Sequence, residues 1–308
     1  MSDAPKKYVL VTAAYNEEAY IERTVQSVVA QTLPPQRWAI VSDGSTDRTD
    51  EIVLSYAVRH PFIQLVQVRK KHARNFAAQV HAINAGCSHL QRVDYEFIGN
   101  VDADVSFEPA YFRLLLAKFD QDPQLGLAGG FICEEEGGEF KSRRTNSVRS
   151  VPHAVQMFRR QCFESIGGYV ALPYGGPDWH AEVMARMHGW HVEAFPQLRV
   201  LHHRPTGSAD LFIRDRFREG LQDYSLGTCP LFELAMVARR IPSKPFALGA
   251  LARFGGFCWG YCSGKKREVS EEFMTFLRNE EKQRLSSFFH VSVVRDRRTP
   301  GDSGGSRS

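Results

Sequence analysis

The chain has 308 residues, 43% of them hydrophobic and 24% charged, enough for one large α/β domain with a smaller appendage and a sizeable core. Its net charge of +4 hides an asymmetry: residues 239–308 carry 14 Lys and Arg against 7 Asp and Glu, a local excess of +7, while the rest sums to −3. No apolar run reaches the 18 residues of a spanning helix, Met1 to Lys7 lacks a signal-peptide pattern, and the six cysteines are scattered without a Cys-x-x-Cys pair. These features argue against a disulfide or zinc scaffold and lead us to expect a reduced, cytoplasmic protein.

Tyr8 to Ala14 is a β-branched run too apolar to alternate, hence a strand covered on both faces. It stops at Tyr15-Asn16-Glu17-Glu18, before a helix with Ile21, Val25, Val28 and Val29 on one face. Trp38 to Val41 is a second strand. It breaks at Ser42-Asp43-Gly44-Ser45-Thr46-Asp47, whose last three residues are candidate N-caps for a helix to about Arg59. Phe62 to Val68 is a third strand, Arg74 to Ser88 an alanine-rich helix, and Tyr95 to Val101 an apolar strand delivering Asp102 and Asp104 to its carboxyl end. A helix from about Pro109 and a strand over Leu125 to Phe131 follow. Strands alternating with helices predict βαβ units and a mostly parallel, Rossmann-like sheet.

Glu134 to Gly138 marks a loop or hairpin. Beyond it the sequence predicts a strand over Ala154 to Phe158, a short helix over Gln161 to Ile166, and a helix opening at Gly175-Gly176-Pro177-Asp178 and ending at Gly189. Two short strands, Val192 to Phe195 and Arg199 to Leu201, follow, the second ending in His202-His203-Arg204-Pro205. Residues 210–290 read as helices, and the Gly-, Ser- and Arg-rich tail from Arg297 as disordered. The expected organisation is a catalytic domain over 1–208, a helical extension over 209–296 and a tail over 297–308.

Ligands of open α/β sheets bind outside the carboxyl ends of the strands, where Asp102 and Asp104 lie. Two hard oxygen ligands on a short turn suit Mg²⁺ or Mn²⁺ shared with phosphates. Asp-x-Asp is a short pattern, however, and recurs at Asp120-Gln121-Asp122, where a helix end before Pro123 reads as a solvated turn. Ala14-Tyr15-Asn16-Glu17-Glu18, Ser42 to Asp47, and Asp102-Ala103-Asp104 resemble, in order and spacing, the donor-site motifs of family 2 glycosyltransferases with the GT-A fold. The resemblance covers roughly residues 7 to 205. Ser42 departs from it, since many members carry an aspartate there.

The resemblance implies a nucleotide-diphosphate sugar donor, uridine-linked by expectation, with Asp43 accepting a hydrogen bond from the base, Tyr15 stacking on the ring, and Glu17 on the same loop. The alternative reading of Asp43 is a turn aspartate capping the next helix. Arg74, at a helix start, suits the diphosphate, with a solvated basic turn as the alternative for Lys70 and Lys71. Asp104 matches the direct ligand of a divalent metal, Mn²⁺ or Mg²⁺, and Asp102 the position nearer the ribose or metal waters; His202 or His203 could complete the shell. Asp178 resembles the second position of the family's Glu-Asp motif, with Pro177 in place of the glutamate, and is the expected general base. Glu182, one helical turn on, is the second candidate, and a plain N-cap role is the other reading of Asp178. His60, His81 and His153 show no partner pattern and read as structural.

Phe246 to Tyr261 is apolar and aromatic, interrupted by Arg253 and followed by Lys265-Lys266-Arg267. It reads as a helix or helical hairpin lying in a membrane interface through residues 246–267, rather than a nucleic-acid contact, with packing on the catalytic domain or a dimer partner as the alternative. The implied enzyme is an inverting glycosyltransferase acting on a glycan or lipid-linked acceptor in polysaccharide, O-antigen or glycolipid synthesis. The rivals are a sugar nucleotidyltransferase, which would want a Gly-rich basic loop after the first strand, and a catalytically silent glycan-binding protein. A nicotinamide dehydrogenase is disfavoured, because no Gly-x-Gly-x-x-Gly follows the first strand.

Overall fold

A computed structural model of the chain describes residues 6–68, 76–204, 209–240 and 246–296. The chain divides into two compact units, residues 1–208 and 209–308.

The first unit opens with β1 (Tyr8–Ala14), α1 (Ile21–Val29), β2 (Arg37–Asp43), α2 (Thr49–Ala57), β3 (Ile63–Val68), α3 (Phe76–Leu90) and β4 (Phe97–Asn100). The four strands are parallel in the order β3-β2-β1-β4, with Val11 opposite Ala39 on one side and Asn100 on the other. The unbroken apolar character of β1 is explained by two cores. Tyr8 and Leu10 join Ile21, Val25 and Trp38 on one face of the sheet, and Val9 and Val11 join Ala39, Val80 and Ile83 on the other. Gly86 lets α3 lie directly on the sheet, since a Cβ there would sit 2.6 Å from Cγ1 of Val11.

The remainder of the unit contains β5 (Val105–Phe107), α4 (Tyr111–Gln121), β6 (Leu125–Glu136), β7 (Glu139–Ser142), a 3₁₀ turn (His153–Val155), β8 (Met157–Arg159), α5 (Arg160–Ser165), α6 (Pro177–Met187) and β9 (His191–His202). The sheet continues from β4 through β8, β6 and β9 to β5, with β7 hairpinned onto β6. Here, among the described residues, parallel pairing survives only between β6 and β9, while β8, β7 and β5 run antiparallel to their neighbours. The strand expected over residues 154–158 is thus shorter and preceded by a 3₁₀ turn. The two strands expected over 192–201 are one, interrupted by a bulge between Phe195 and Arg199. Gly130 faces that bulge, where a Cβ would lie 2.1 Å from the carbonyl oxygen of Leu198. The Asp-x-Asp twin is an ion-paired turn: Asp120 meets Lys6 at 2.7 Å and Asp122 meets His191 at 2.6 Å.

The second unit comprises α7 (Ala209–Ser225), α8 (Pro230–Arg240), α9 (Phe246–Cys262) and α10 (Glu271–Asp296). Helices α7 and α9 meet at backbone distance. A Cβ on Gly220 would lie 1.8 Å from the carbonyl oxygen of Arg253, and one on Gly256 would lie 1.9 Å from that of Phe217. Arg253, which interrupts the apolar run in sequence, turns inward and is held by Glu219, Asp223 and Glu233. Burial of its guanidinium is tolerated because these carboxylates surround it. No described helix is long and apolar enough to cross a membrane. The expected tail from residue 297 lies outside the described residues.

Candidate active site

The loops that leave β1 and β2 are stitched into one floor. Asn16 takes a left-handed conformation, φ 54°, which asparagine tolerates better than most side chains, and its Oδ1 accepts from the Thr46 amide at 2.8 Å. The amides of Glu17 and Glu18 donate to Oγ1 of Thr49 (2.7 Å) and Oδ2 of Asp47 (3.0 Å). Asp47 also accepts from the amide and hydroxyl of Thr49, so it is Asp47 that serves the start of α2. That relieves Asp43 of the capping role. Its carboxylate, half-buried at the end of β2, makes no hydrogen bond among the described residues. Buried Ser42, in place of the family's aspartate, shares a 3.1 Å hydrogen bond with Ser45 and tightens the turn. Ala14 closes β1 beside Ser42, and Tyr15 is half-buried just beyond it. Arg74, Lys70 and Lys71 lie outside the described residues.

Between β4 and β5 the backbone turns through Asp102 and Asp104. Asp102 receives long contacts from the side-chain amides of Gln79 (3.4 Å) and Asn100 (3.5 Å), and burial raises its carboxyl. Asp104 is 8% exposed. Burial would raise it too, but the neighbouring His202 imidazole and the hydrogen bond from Arg204 outweigh burial and hold it below the usual carboxylate range. Arg204 Nε donates to Asp104 Oδ2 at 2.7 Å, Nη2 of the same guanidinium donates to Glu17 Oε2, and its Cζ lies 5.0 Å from the ring centre of Tyr20. Burial nevertheless pushes Glu17 up to about 7, against the pull of Arg204.

A cleft of about 330 Å³ opens beside this cluster, and Asp102, His153, Asp178 and His202 all line it. Helix α6 starts from Gly176 at φ 83° with no side-chain cap, so Asp178 is not the N-cap; it stands in the first turn, where the helix dipole favours a carboxylate. Glu182 does not line the cleft. It is 1% exposed, and its Oε1 accepts from the Val151 amide (2.8 Å) and the Ser150 hydroxyl (3.0 Å), tying the cleft rim to α6. The expectation that Glu182 shares the face of Asp178 holds for azimuth and fails for depth, because the chain around Ser150 lies over it. His203 likewise turns elsewhere: its Nε2 and Ser106 Oγ are 2.8 Å apart, and its ring stands edge-on to Phe140.

His202 Nε2 lies 3.6 Å from Asp104 Oδ2, and His202 Nδ1 is buried without a hydrogen-bond partner. No set of three or more His, Cys, Asp and Glu side chains among the described residues forms a ready metal cage. A carboxylate and an imidazole on adjoining strands nonetheless fit a hard divalent cation that takes its remaining ligands from phosphate and water. Two residues here escaped sequence reasoning. Arg204 bridges carboxylates 100 and 187 positions away, and His153 has no patterned neighbour to draw attention to it.

The family profile described as glycosyl transferase family 2 matches residues 9–173. A poly-beta-1,6-N-acetyl-D-glucosamine synthase of Staphylococcus epidermidis is 27% identical over 118 residues, 38% of this chain and 26% of the relative. The probable glycosyltransferase YdaM of Bacillus subtilis is 26% identical over 229 residues, 67% of this chain and 52% of the relative. The chain thus spans between a quarter and a half of the length of these relatives. Among solved structures, the mannosyltransferase PcManGT from Pyrobaculum calidifontis in complex with GDP-Man and Mn²⁺ aligns with a TM-score of 0.55 at 18% identity, covering 94% of this chain and 83% of that one. S. aureus TarS 1-349 in complex with UDP-GlcNAc aligns at 0.53 and 15% identity, covering 88% and 78%. The architecture is that of GT-A enzymes.

Proposed function

The chain belongs to glycosyl transferase family 2, and we propose that it is a glycosyltransferase that moves a sugar from a nucleoside diphosphate, uridine-linked by preference, to a hydroxyl of a glycan or lipid-linked acceptor with inversion at the anomeric carbon. The observation that carries this reading is one cleft lined both by Asp102, just beyond the β4 carboxyl end, and by Asp178 at the start of α6. Asp43, with no protein hydrogen bond among the described residues, accepts one from the nucleobase. Asp178 takes the proton of the acceptor hydroxyl; that oxygen attacks the anomeric carbon, and the carbon–oxygen bond to the diphosphate breaks with its electron pair leaving on the diphosphate. A divalent cation held by Asp104 and His202, with Asp102 beside it, would supply Lewis-acid stabilisation of that leaving group. Arg204 is the further cation at hand for the diphosphate. Of the described residues lining the cleft, only Asp102 and Asp178 are carboxylates. With Asp102 assigned to the donor, no carboxylate of the lining remains to act as a nucleophile, which supports inversion.

A thermal-shift titration with UDP and GDP, with and without Mn²⁺, tests the reading. Metal-dependent stabilisation by a nucleoside diphosphate is expected, and its absence with every nucleotide would refute the proposal. Binding of nucleotide sugar without turnover in the presence of glycan acceptors would favour the silent binding protein instead.

We further propose peripheral membrane contact through residues 246–267. With Arg253 turned inward, α9 exposes Leu248, Leu251 and Trp259, and exposed Lys265 and Lys266 follow. Exposed aromatic and aliphatic side chains flanked by basic charge suit an anionic interface. Co-sedimentation with phosphatidylglycerol vesicles is expected; recovery entirely in the supernatant would sink the idea.

A further inference from the structure

Arg143, Thr145, Asn146, Ser147 and Ser150, all from the segment that follows β7, line the cleft together with Asp178. The segment is tied to three elements. Asn146 pairs with Ile132 of β6, accepting from its amide at 3.3 Å and donating to its carbonyl at 2.8 Å. The Val148 carbonyl accepts from the Ala194 amide of β9 at 2.9 Å. Ser150 and Val151 donate to Glu182, which joins the segment to the helix that carries Asp178.

The same segment is strongly basic: residues 140–150 include Lys141, Arg143, Arg144 and Arg149 and no Asp or Glu. Arg143 is the one arginine or lysine among the described residues lining the cleft. Its Nη2 donates to Glu134 Oε1 at 2.5 Å, a bond that uses one of five N–H donors and holds the guanidinium in place. Lys141, Arg144 and Arg149 are exposed and make no ion pair among the described residues. The other acids of the hairpin, Glu135, Glu136 and Glu139, lie toward its tip, and none of them lines the cleft. Like charges left unanswered on one fixed segment attract an anion.

We propose that this segment recognises the acceptor and that the acceptor is an anionic glycan, its carboxylate or phosphate bound by Arg143 while Arg144 and Arg149 add longer-range attraction. The inference rests on the reading of the cleft as a sugar-transfer site with Asp178 as its base. An acceptor hydroxyl has to reach Asp178, so the groups around that hydroxyl fall against residues that share the cleft with Asp178. A planar guanidinium matches carboxylate and phosphate oxygens alike. Thr145, Asn146, Ser147 and Ser150 offer hydroxyl and amide groups to sugar hydroxyls. Among the described residues, Val148 is the segment's one exposed large apolar side chain, which favours a glycan over a lipid surface.

The test presents protein saturated with UDP and Mn²⁺ to a glycan array of neutral, uronate-bearing and phosphate-bearing oligosaccharides, and measures the best binder by calorimetry. That binder should be acidic and should bind more weakly as salt rises. Arg143→Gln should weaken it about tenfold, the worth of a hydrogen bond to a charged group, and Arg144→Gln/Arg149→Gln about threefold, since exposed charge pairs contribute less. UDP affinity should stay within about twofold in both variants. Lys265→Gln/Lys266→Gln, which removes exposed cations elsewhere, should leave acidic-glycan affinity unchanged. A neutral best binder, or no bound glycan, overturns the proposal. So does equal weakening of acidic and neutral glycans in Arg143→Gln, the mark of a structural role, or an equal loss in the Lys265→Gln/Lys266→Gln control, the mark of unspecific attraction. If Arg143→Gln lowers co-sedimentation with phosphatidylglycerol vesicles and leaves acidic-glycan affinity unchanged, the cations face a lipid surface and the proposal fails. If Arg143→Gln does not fold, the double arginine variant decides. Wild-type protein that binds no nucleoside diphosphate would instead overturn the transfer-site reading itself.

Discussion

Burial pushes Glu182 up to about 8 from its ordinary 4.5, with neighbouring Arg186 pulling the other way and falling short. The folded protein therefore holds a proton at this site that the unfolded chain releases above about pH 4.5. For a carboxyl raised on folding, stability is highest at low pH and declines as pH rises from about 4.5 to about 8. At about 1.4 kcal/mol per pH unit, the loss by pH 7 is on the order of 3 kcal/mol. Glutamine cannot titrate, yet it keeps an oxygen for the Val151 amide and the Ser150 hydroxyl. Glu182→Gln should therefore match wild type within about 1 kcal/mol at pH 5 and exceed it by roughly 2–4 kcal/mol at pH 7. Glu182→Ala removes the acceptor, orphans the fully buried Val151 amide and leaves a cavity; it should cost about 3–5 kcal/mol at pH 5. Urea denaturation at pH 5, 6, 7 and 8, followed by circular dichroism and compared at constant m-value, measures these differences. Glu281, pushed up to about 7 chiefly by its own burial, titrates in both proteins and cancels from the comparison. Turnover at pH 7 should stay within a few-fold of wild type in Glu182→Gln, since the cleft rim remains tied down. Parallel stability curves would mean that Glu182 is ionised in the folded protein. A folded Glu182→Gln that has lost a hundredfold or more in kcat would make Glu182, rather than Asp178, the base.

Asp178→Asn should lower kcat by about 10²- to 10⁴-fold while nucleoside diphosphate affinity stays within about twofold, measured by steady-state kinetics and calorimetry; loss of binding would assign Asp178 to structure. Arg204→Gln releases Asp104 and Glu17 from their shared cation. Mn²⁺ binding without nucleotide, followed by electron paramagnetic resonance, should tighten several-fold while UDP affinity in Mn²⁺ weakens; unchanged Mn²⁺ affinity would show that Arg204 does not compete for Asp104. Gly256→Ala forces a methyl group to within 1.9 Å of the Phe217 carbonyl oxygen unless α7 and α9 separate. It should lower the stability of the helical unit by about 3 kcal/mol or more, read by thermal denaturation, and a neutral outcome would mean that the two helices can shift apart at little cost.

The parts of the fold legible in the sequence are those set by local pattern. The apolar runs of β1, β2 and β4 end at polar loops carrying Tyr15, Asp43 and Asp102, and each strand end can be located without knowing its neighbours. What local pattern cannot supply is depth and partner. Asp178 and Glu182 share a helical face, yet the chain around Ser150, over thirty positions away in effect but adjacent in space, covers one and leaves the other on the cleft. The strands over 192–201 looked separate because a bulge breaks their apolar run, although one ladder along β6 passes through it. Arg253 and Arg204 posed the same difficulty in two settings. Each is a single cation at a position where periodicity explains nothing, and each gathers carboxylates from distant elements: Glu219, Asp223 and Glu233 in one case, Glu17 and Asp104 in the other. A buried ionic or polar group must be answered by something, and for both arginines the fold provides the answer.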